Sequence, residues 1–279
     1  MGYDLPMPEL PEVETIRRGL SRTLAGRRVV GGLVRERRLR RPVDLRGLGR
    51  VKGTAIAAVH RRGKYLLIEI DTGATLLVHL GMTGRLWVSQ GSRPARPHEH
   101  VVFDLDDGRQ LRFADSRRFG LIELVPNGHL KRHPLLEGLG PEPLDAAWSA
   151  AGVHAVTRKR RAPVKNVLMD ARTVVGIGNI YACEALHRAG VSPRRAVGRI
   201  GQSVWERIVG AVREVLTEAI RRGGTTLRDY VDADENAGLF SVDLRVYGRQ
   251  GEPCDRCGGR IRRIVMAGRG TFYCPGCQR

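Results

Sequence analysis

The stretch VVFDLDDGRQLRF, residues 101–113, decides the fold. Val101–Leu105 and Gln110–Phe113 are two short β-rich runs, and Asp107-Gly108 between them readily takes the backbone angles of a tight hairpin. Runs of the same kind lie on both sides: Arg28–Val34, Ala55–Val59, Tyr65–Ile70, Thr75–Leu80 and Gly120–Val125. Short strands so closely spaced predict a β-sandwich or barrel. Upstream, residues 9–25 set Val13, Ile16, Leu20 and Leu24 at the three- and four-residue spacing of one helical face, with Gly26 as a stop. Downstream, Pro134, Gly138, Gly140, Pro141 and Pro143 crowd a junction after which the pattern turns helical. A segment around 163–171, a glycine-rich turn at 175–179 and a helix from Ile180 to about Ala189 precede the clearest helix, 203–222. There Ser203-x-x-Glu206 reads as a capping box and Gly223-Gly224 as the end. The expectation is an α+β protein, with an N-terminal helix and β-sandwich followed by a helical half.

Length and charge bound the function. The 279 residues suffice for one to two domains at roughly 100–200 residues each. No stretch approaches the ~18 consecutive apolar residues of a transmembrane helix. The N-terminal MGYDLPMPELPEVE has neither the basic nor the apolar region of a signal peptide. A soluble intracellular protein without a membrane partner is expected. Lys and Arg number 48 against 29 Asp and Glu, a net charge of +19. The excess divides almost evenly, +10 over residues 1–140 and +9 over 141–279, so it is not a basic tail. Such a field attracts polyanions through counterion release, which points to nucleic acid. The plain alternative is the habit of an Arg-rich proteome, since Arg outnumbers Lys 43 to 5.

Three local patterns carry chemistry. Cys254-x-x-Cys257 and Cys274-x-x-Cys277, 16 residues apart, have the spacing of a tetrahedral zinc site. Four thiolates leave no open coordination position, so the one zinc ion would be structural. Between the pairs, Arg260–Met266 and Gly270–Tyr273 read as strands joined at Gly268-Arg269-Gly270, which sets Arg269 at a hairpin tip suited to a phosphate. Gly176-Ile177-Gly178-Asn179 opens a helix, where backbone N–H groups can hold an anion; an ordinary inter-helix turn reads equally well. Glu9, Glu12 and Glu14 at the start of the first helix are by default partners of its dipole. Met7-Pro8 unsettles that default. If Met7 is the initiator and is removed, Pro8 becomes a secondary amine at the N-terminus. Such an amine, with a pKa of about 8 as for other α-amino groups, is a usable nucleophile beside a carboxylic acid.

Seven segments now stand in order: Pro8-Glu9-Leu10-Pro11-Glu12-Val13-Glu14-Thr15, Arg62-Gly63-Lys64-Tyr65-Leu66-Leu67, His79-Leu80-Gly81-Met82-Thr83-Gly84, Asp115-Ser116-Arg117-Arg118-Phe119-Gly120, Gly176-Ile177-Gly178-Asn179-Ile180-Tyr181, Val246-Tyr247-Gly248-Arg249 and the cysteine quartet. Together they resemble the bacterial formamidopyrimidine-DNA glycosylases, bifunctional enzymes that remove 8-oxoguanine and ring-opened purines. The resemblance runs from Pro8 to the C-terminus. It implies a catalytic β-sandwich domain over 8–138 and a helix–two-turn–helix domain over 139–244, with a loop at 225–243 that closes over the everted base. A β-hairpin zinc finger over 245–279 would follow. The partner it implies is damaged double-stranded DNA, bound by a monomer in the cytoplasm at the nucleoid.

The resemblance also assigns residues. Pro8 would attack C1′, Glu9 would protonate the opening sugar, Glu14 would help hold the site, and Lys64 would bind a phosphate near the lesion. Met82 would fill the void left by the everted nucleotide, Arg117 would address the opposite cytosine and Phe119 would wedge the stack; on composition alone Met82 and Phe119 would pass for core residues. Asn179 and Arg269 would clamp phosphates, with His79 and Lys165 as further candidates, and Arg228, Thr225 and Thr226 would meet the base. Two departures stand out. Ser116 replaces the family's usual Pro, and residues 1–7 precede the pattern as an extension that is non-native or mis-assigned. An acylated Pro8 has no nucleophilicity, so translation is expected to start at Met7. Processing of the extension, or a catalytically dead DNA-binding relative, are the alternatives. A same-fold alternative is the endonuclease VIII branch acting on oxidised pyrimidines, against which Leu10 and Val13 argue. Cys183 is expected to be buried and inert.

Overall fold

The computed structural model describes residues 7–91, 94–224 and 244–279. Helix α1 (Leu10–Leu24) starts where the sequence says it should, with Glu9 as an extended N-cap and Pro11 in the first turn, where a missing N–H costs nothing. Its buried face carries Val13, Leu20 and Leu24. The strands that follow are β1 (Val29–Val34), β2 (Ile56–Arg62), β3 (Tyr65–Ile70), β4 (Thr75–His79), β5 (Gly84–Ser89), β6 (Glu99–Leu105), β7 (Gln110–Asp115) and β8 (Leu121–Val125), with a short helix α2 (Leu45–Gly49) after β1. They form two antiparallel sheets, ordered β1-β6-β7-β5 and β2-β3-β4-β8. The 101–113 hairpin forms, with Phe103 opposite Leu111 and Gly108 at φ +82°.

Both sheets feed one core, the arrangement of a sandwich. Leu66, Ile68 and Val78 come from one sheet, Val88, Val101, Phe103, Leu111 and Phe113 from the other, and α1 adds Val13, Leu20 and Leu24. Strand β3 alternates, with Leu66, Ile68 and Ile70 buried, whereas β4 is buried at every position. The difference has a cause: the outward Leu77 joins Leu121, Val125, Leu130, Leu135 and Leu136 in a second small cluster. Strand β5 was not foreseen, because GRLWVS is buried at all but one position and so lacks a period-2 signal.

The C-terminal half contains α3 (Ala150–Thr157), α4 (Val164–Leu168), α5 (Asn179–Ala189), α6 (Gln202–Arg221), β9 (Arg262–Met266) and β10 (Arg269–Tyr273). Trp148, Tyr181, Leu186, Trp205, Ile208 and Leu216 build its core. Helix α3, AAGVHAVT, escaped the sequence reading because it has few polar residues to set against an apolar face. Two expectations are corrected. The N-cap of α6 is Gly201, so Ser203 sits inside the first turn and the Ser203–Glu206 box does not form. The hairpin turn is Ala267-Gly268, both at positive φ, which makes Arg269 the first residue of β10 instead of the tip.

Among the described residues the chain divides into two units, 7–137 with 223–224 and 138–222 with 244–279. No helix among them is long and apolar enough to cross a membrane.

Candidate functional site

The first unit gathers the reactive residues at the start of α1. Pro8 and Glu9 are buried, and the Glu12 carboxylate accepts the Glu9 backbone N–H at 2.9 Å, closing a capping box. Glu12 was read only as a partner of the helix dipole, although Glu9-x-x-Glu12 is a legible capping signature. The backbone also crowds it: Gly224, at φ +95°, lies so close that a Cβ there would come within 2.8 Å of Glu12 Oε1. Glu14 stands apart. Arg17 Nη2, Arg18 Nε and Arg61 Nε donate to it at 2.9, 3.0 and 3.2 Å. Burial pushes its carboxyl up, but these three guanidinium groups outweigh that and hold it below the usual range. A carboxylate so engaged is no proton donor, which suits the holding role that the resemblance assigns to Glu14. It acts through Arg61, whose Nη1 donates to Gly63 O at 2.9 Å. Gly63 and Lys64 make the two-residue connection between β2 and β3. Glu14 thereby ties the turn bearing Lys64 to the helix bearing Pro8 and Glu9.

Met82, Arg117 and Phe119 lie on two connections that the structure fuses into one block. Gly81, at φ +60°, lies against the 119–120 backbone, where a Cβ would meet Phe119 C at 2.5 Å. Asp115 joins the two turns chemically. Its Oδ2 accepts the Gly120 N–H at 2.7 Å, and its Oδ1 accepts the Arg117 N–H at 3.3 Å and the Thr83 hydroxyl. The Thr83 oxygen in turn accepts the Arg117 N–H at 3.1 Å. Phe119 is 46% exposed, with the Arg117 guanidinium 4.9 Å from its ring centre, so it is not a core residue. Met82 is half-buried in the connection between β4 and β5. Asp115 was quoted only as part of a motif; its bonds to the backbone of another connection leave no periodic trace.

His79 is buried, and its Nδ1 accepts the Gly81 N–H at 3.0 Å, which leaves the proton on Nε2. Burial first, then the charges of Arg40 and Lys64, lower its pKa to about 4. His79 is therefore a neutral group that braces the Met82 turn, and any phosphate contact it makes is a hydrogen bond from Nε2–H, without a positive charge.

In the second unit, Asn179 begins α5 and its Nδ2 donates to Gly270 O at 2.9 Å, joining the helix start to the β9–β10 hairpin. Arg269 is exposed at that hairpin. Lys165 is also corrected: it is 1% exposed, and its ammonium donates to Thr271 Oγ1 at 2.7 Å. That makes it a strut beneath the hairpin, where a phosphate does not reach. Glu184, which the sequence reading missed, accepts the backbone N–H groups of Arg245, Val246 and Tyr247 at 2.9, 2.9 and 2.8 Å. Burial raises its pKa against the pull of those donors. A carboxylate inside the buried face of α5 was the one available signal.

The cysteine quartet fits a metal. The four sulfurs lie within 4.8 Å of one another, with Cys254–Cys277 at 3.8 Å and Cys257–Cys274 at 3.5 Å. Tetrahedral zinc with bonds of about 2.3 Å needs sulfurs about 3.8 Å apart, whereas a disulfide needs about 2 Å. Cys183 is buried against the same cluster. The 225–243 loop with Arg228, Thr225 and Thr226 lies outside the described residues.

Comparison with known proteins gives a consistent picture. Three family models match in order: the formamidopyrimidine-DNA glycosylase N-terminal domain over residues 7–122, the formamidopyrimidine-DNA glycosylase H2TH domain over 139–231, and the zinc finger found in FPG and IleRS over 251–279. The chain is 50% identical over 273 residues to the formamidopyrimidine-DNA glycosylase of Stenotrophomonas maltophilia, covering 98% of this chain and 100% of that protein. Among solved structures, the MutM (Fpg) protein of Thermus thermophilus matches with a TM-score of 0.86 at 41% identity, over 97% of this chain and 98% of that one. The Lactococcus lactis Fpg in complex with DNA containing N7-benzyl-Fapy-dG matches with a TM-score of 0.89 at 32% identity, over 98% and 100%.

Proposed function

The chain belongs to the formamidopyrimidine-DNA glycosylase family, and from that premise we propose how its residues share the work of a DNA glycosylase and AP lyase in base excision repair. The nucleophile is the Pro8 amine in a polypeptide that begins at Pro8. The amine attacks C1′ of the damaged nucleotide and the C1′–N bond breaks, so the oxidised purine leaves with the electron pair. Glu9 delivers a proton to O4′ as the sugar opens, and the amine loses its proton to give an iminium link. Loss of the C2′ proton then expels the 3′ phosphate, and loss of the C4′ proton expels the 5′ phosphate, leaving a one-nucleotide gap. Lys64 neutralises a phosphate beside the lesion. Met82, Arg117 and Phe119 enter the stack vacated by the everted nucleotide, which costs a few kcal/mol to extrude. Asn179 and Arg269 hold backbone phosphates, and zinc keeps the ribbon folded. The protein acts as a monomer on chromosomal DNA in the cytoplasm.

One observation carries this reading. Pro8 directly precedes the buried Glu9–Glu12 capping box, and the Glu14–Arg61–Gly63 bridge ties that helix start to the turn of Lys64. A nucleophile, an acid and a cation are thus held on one rigid frame. Borohydride trapping on an abasic-site duplex tests it. A chain starting at Pro8, verified by intact mass, should form a covalent adduct, and one retaining residues 1–7 should form none. Equal trapping by both would exclude the Pro8 amine.

A further inference from the structure

His187 lies in the last turn of α5, outside every motif that the proposed reaction uses, and it is 5% exposed. Its Nε2 is 3.5 Å from the Sγ of Cys254, itself 2% exposed. The two are held in register from the other side. Arg256, between the cysteines of the first knuckle, donates from Nη1 to His187 O at 3.2 Å and from Nη2 to Arg188 O at 3.3 Å. The knuckle thus caps the end of α5 while the imidazole faces the sulfur.

We propose that His187 is an outer-sphere partner of the zinc ribbon, its Nε2–H donating a hydrogen bond to the Cys254 thiolate. The direction follows from the chemistry of the ligand. A zinc-bound cysteine is deprotonated and offers only lone pairs, so the nitrogen facing it carries the proton. Four thiolates around one Zn²⁺ leave two net negative charges in a cluster whose Cys254 and Cys274 are buried. An N–H donor spreads that charge, lowers the basicity of the sulfur and slows its protonation, which is the first step of metal loss. In this arrangement His187 is not itself a metal ligand. It is a positioning residue that acts through Cys254, and it couples the ribbon to the helix whose other end carries Asn179.

The test compares wild type with His187→Phe and His187→Gln, each zinc-loaded and without DNA, so that its outcome is independent of the glycosylase reading. Zinc transfer to a colorimetric chelator should be about 10-fold faster or more in His187→Phe, the range seen when outer-shell partners are removed. His187→Gln, whose amide N–H can donate, should recover part of the difference. In cobalt-substituted protein the sulfur-to-metal charge-transfer band should move to longer wavelength in His187→Phe, a change that lost packing alone would not produce. Unchanged release and an unchanged band in a folded His187→Phe overturn the proposal. Should that variant fail to fold, cadmium-113-substituted wild type decides. A scalar coupling from the metal to the imidazole Nε2 proton supports the bond, and an unprotonated Nε2 refutes it.

Discussion

Asp115→Asn probes the block that carries the inserting residues with almost no change in volume. The wild-type carboxylate accepts Gly120 N–H, Arg117 N–H and the Thr83 hydroxyl, and it is 1% exposed. In the variant the amide oxygen can keep the bond to Gly120, while its NH₂ faces the Arg117 and Thr83 side. One bond is lost and another loses its charge assistance. A bond to a charged group contributes about 1.5–3 kcal/mol and a neutral one about 0.5–1.5, so the block should loosen by about 2–3 kcal/mol. If insertion needs the block formed, that is about a 30- to 150-fold fall in kcat/KM for incising 8-oxoguanine in duplex DNA. Amide exchange at Gly120 should accelerate by a comparable factor. A single-stranded oligonucleotide with an abasic site has no void to fill, so borohydride trapping on it should match wild type. Equal losses on both substrates would mean that Asp115 serves the chemistry and not the wedge. Full duplex activity would refute the reasoning outright.

Other perturbations separate the remaining roles. Phe119→Ala should leave stability within about 0.5 kcal/mol of wild type, because the ring is exposed, yet lower single-turnover excision from duplex DNA. His79 titrates at about 4 when folded against 6.5 in its ordinary state. As pH falls from 6.5 to about 4 the unfolded chain takes up a proton that the folded one refuses, so stability should drop by up to about 3 kcal/mol and then level off. His79→Gln should flatten that part of the pH–stability curve, which urea denaturation at several pH values measures. Arg269→Ala should weaken binding to all duplexes alike and lower the slope of log K against log salt by about one.

What could be read from the chain depended on how local each signal is. The first helix, the 101–113 hairpin and the zinc quartet each lie within a short window of periodicity or spacing, and each formed. The misses have the opposite character. Strand β5 is buried almost throughout, so its period vanished. The Ser203–Glu206 box failed because Gly201 starts the helix first, while the real box at Glu9–Glu12 was hidden behind the reading of those acids as dipole partners. Glu184, 61 to 63 residues from the backbone it holds, and His187, 67 residues from its sulfur, become visible only when the chain is folded. Phe119 shows what the resemblance added: an aromatic that composition alone would assign to the core proved to be exposed.

These long-range partners share a logic that the net charge of +19 conceals. Arg and Lys create the field that draws DNA, and a field of this kind cannot hold its own side chains in place. The buried and half-buried acids do so. Glu12 grips the backbone of Glu9, Glu14 acts through Arg61 on the turn of Lys64, Asp115 fastens the turns of Arg117 and Phe119, and Glu184 collects three successive N–H groups at 245–247. Three of the four bond directly to backbone N–H, where one carboxylate oxygen fixes a turn irrespective of the side chains it presents. Surface arginines should therefore be exchangeable with graded losses of affinity, whereas each of these acids fixes the geometry of a different segment. Neutralising one of them should change what the enzyme does with bound DNA far more than how tightly it binds. The opposite pattern is expected for Arg269, and the ratio of the two effects across the same set of duplexes distinguishes a field from a frame.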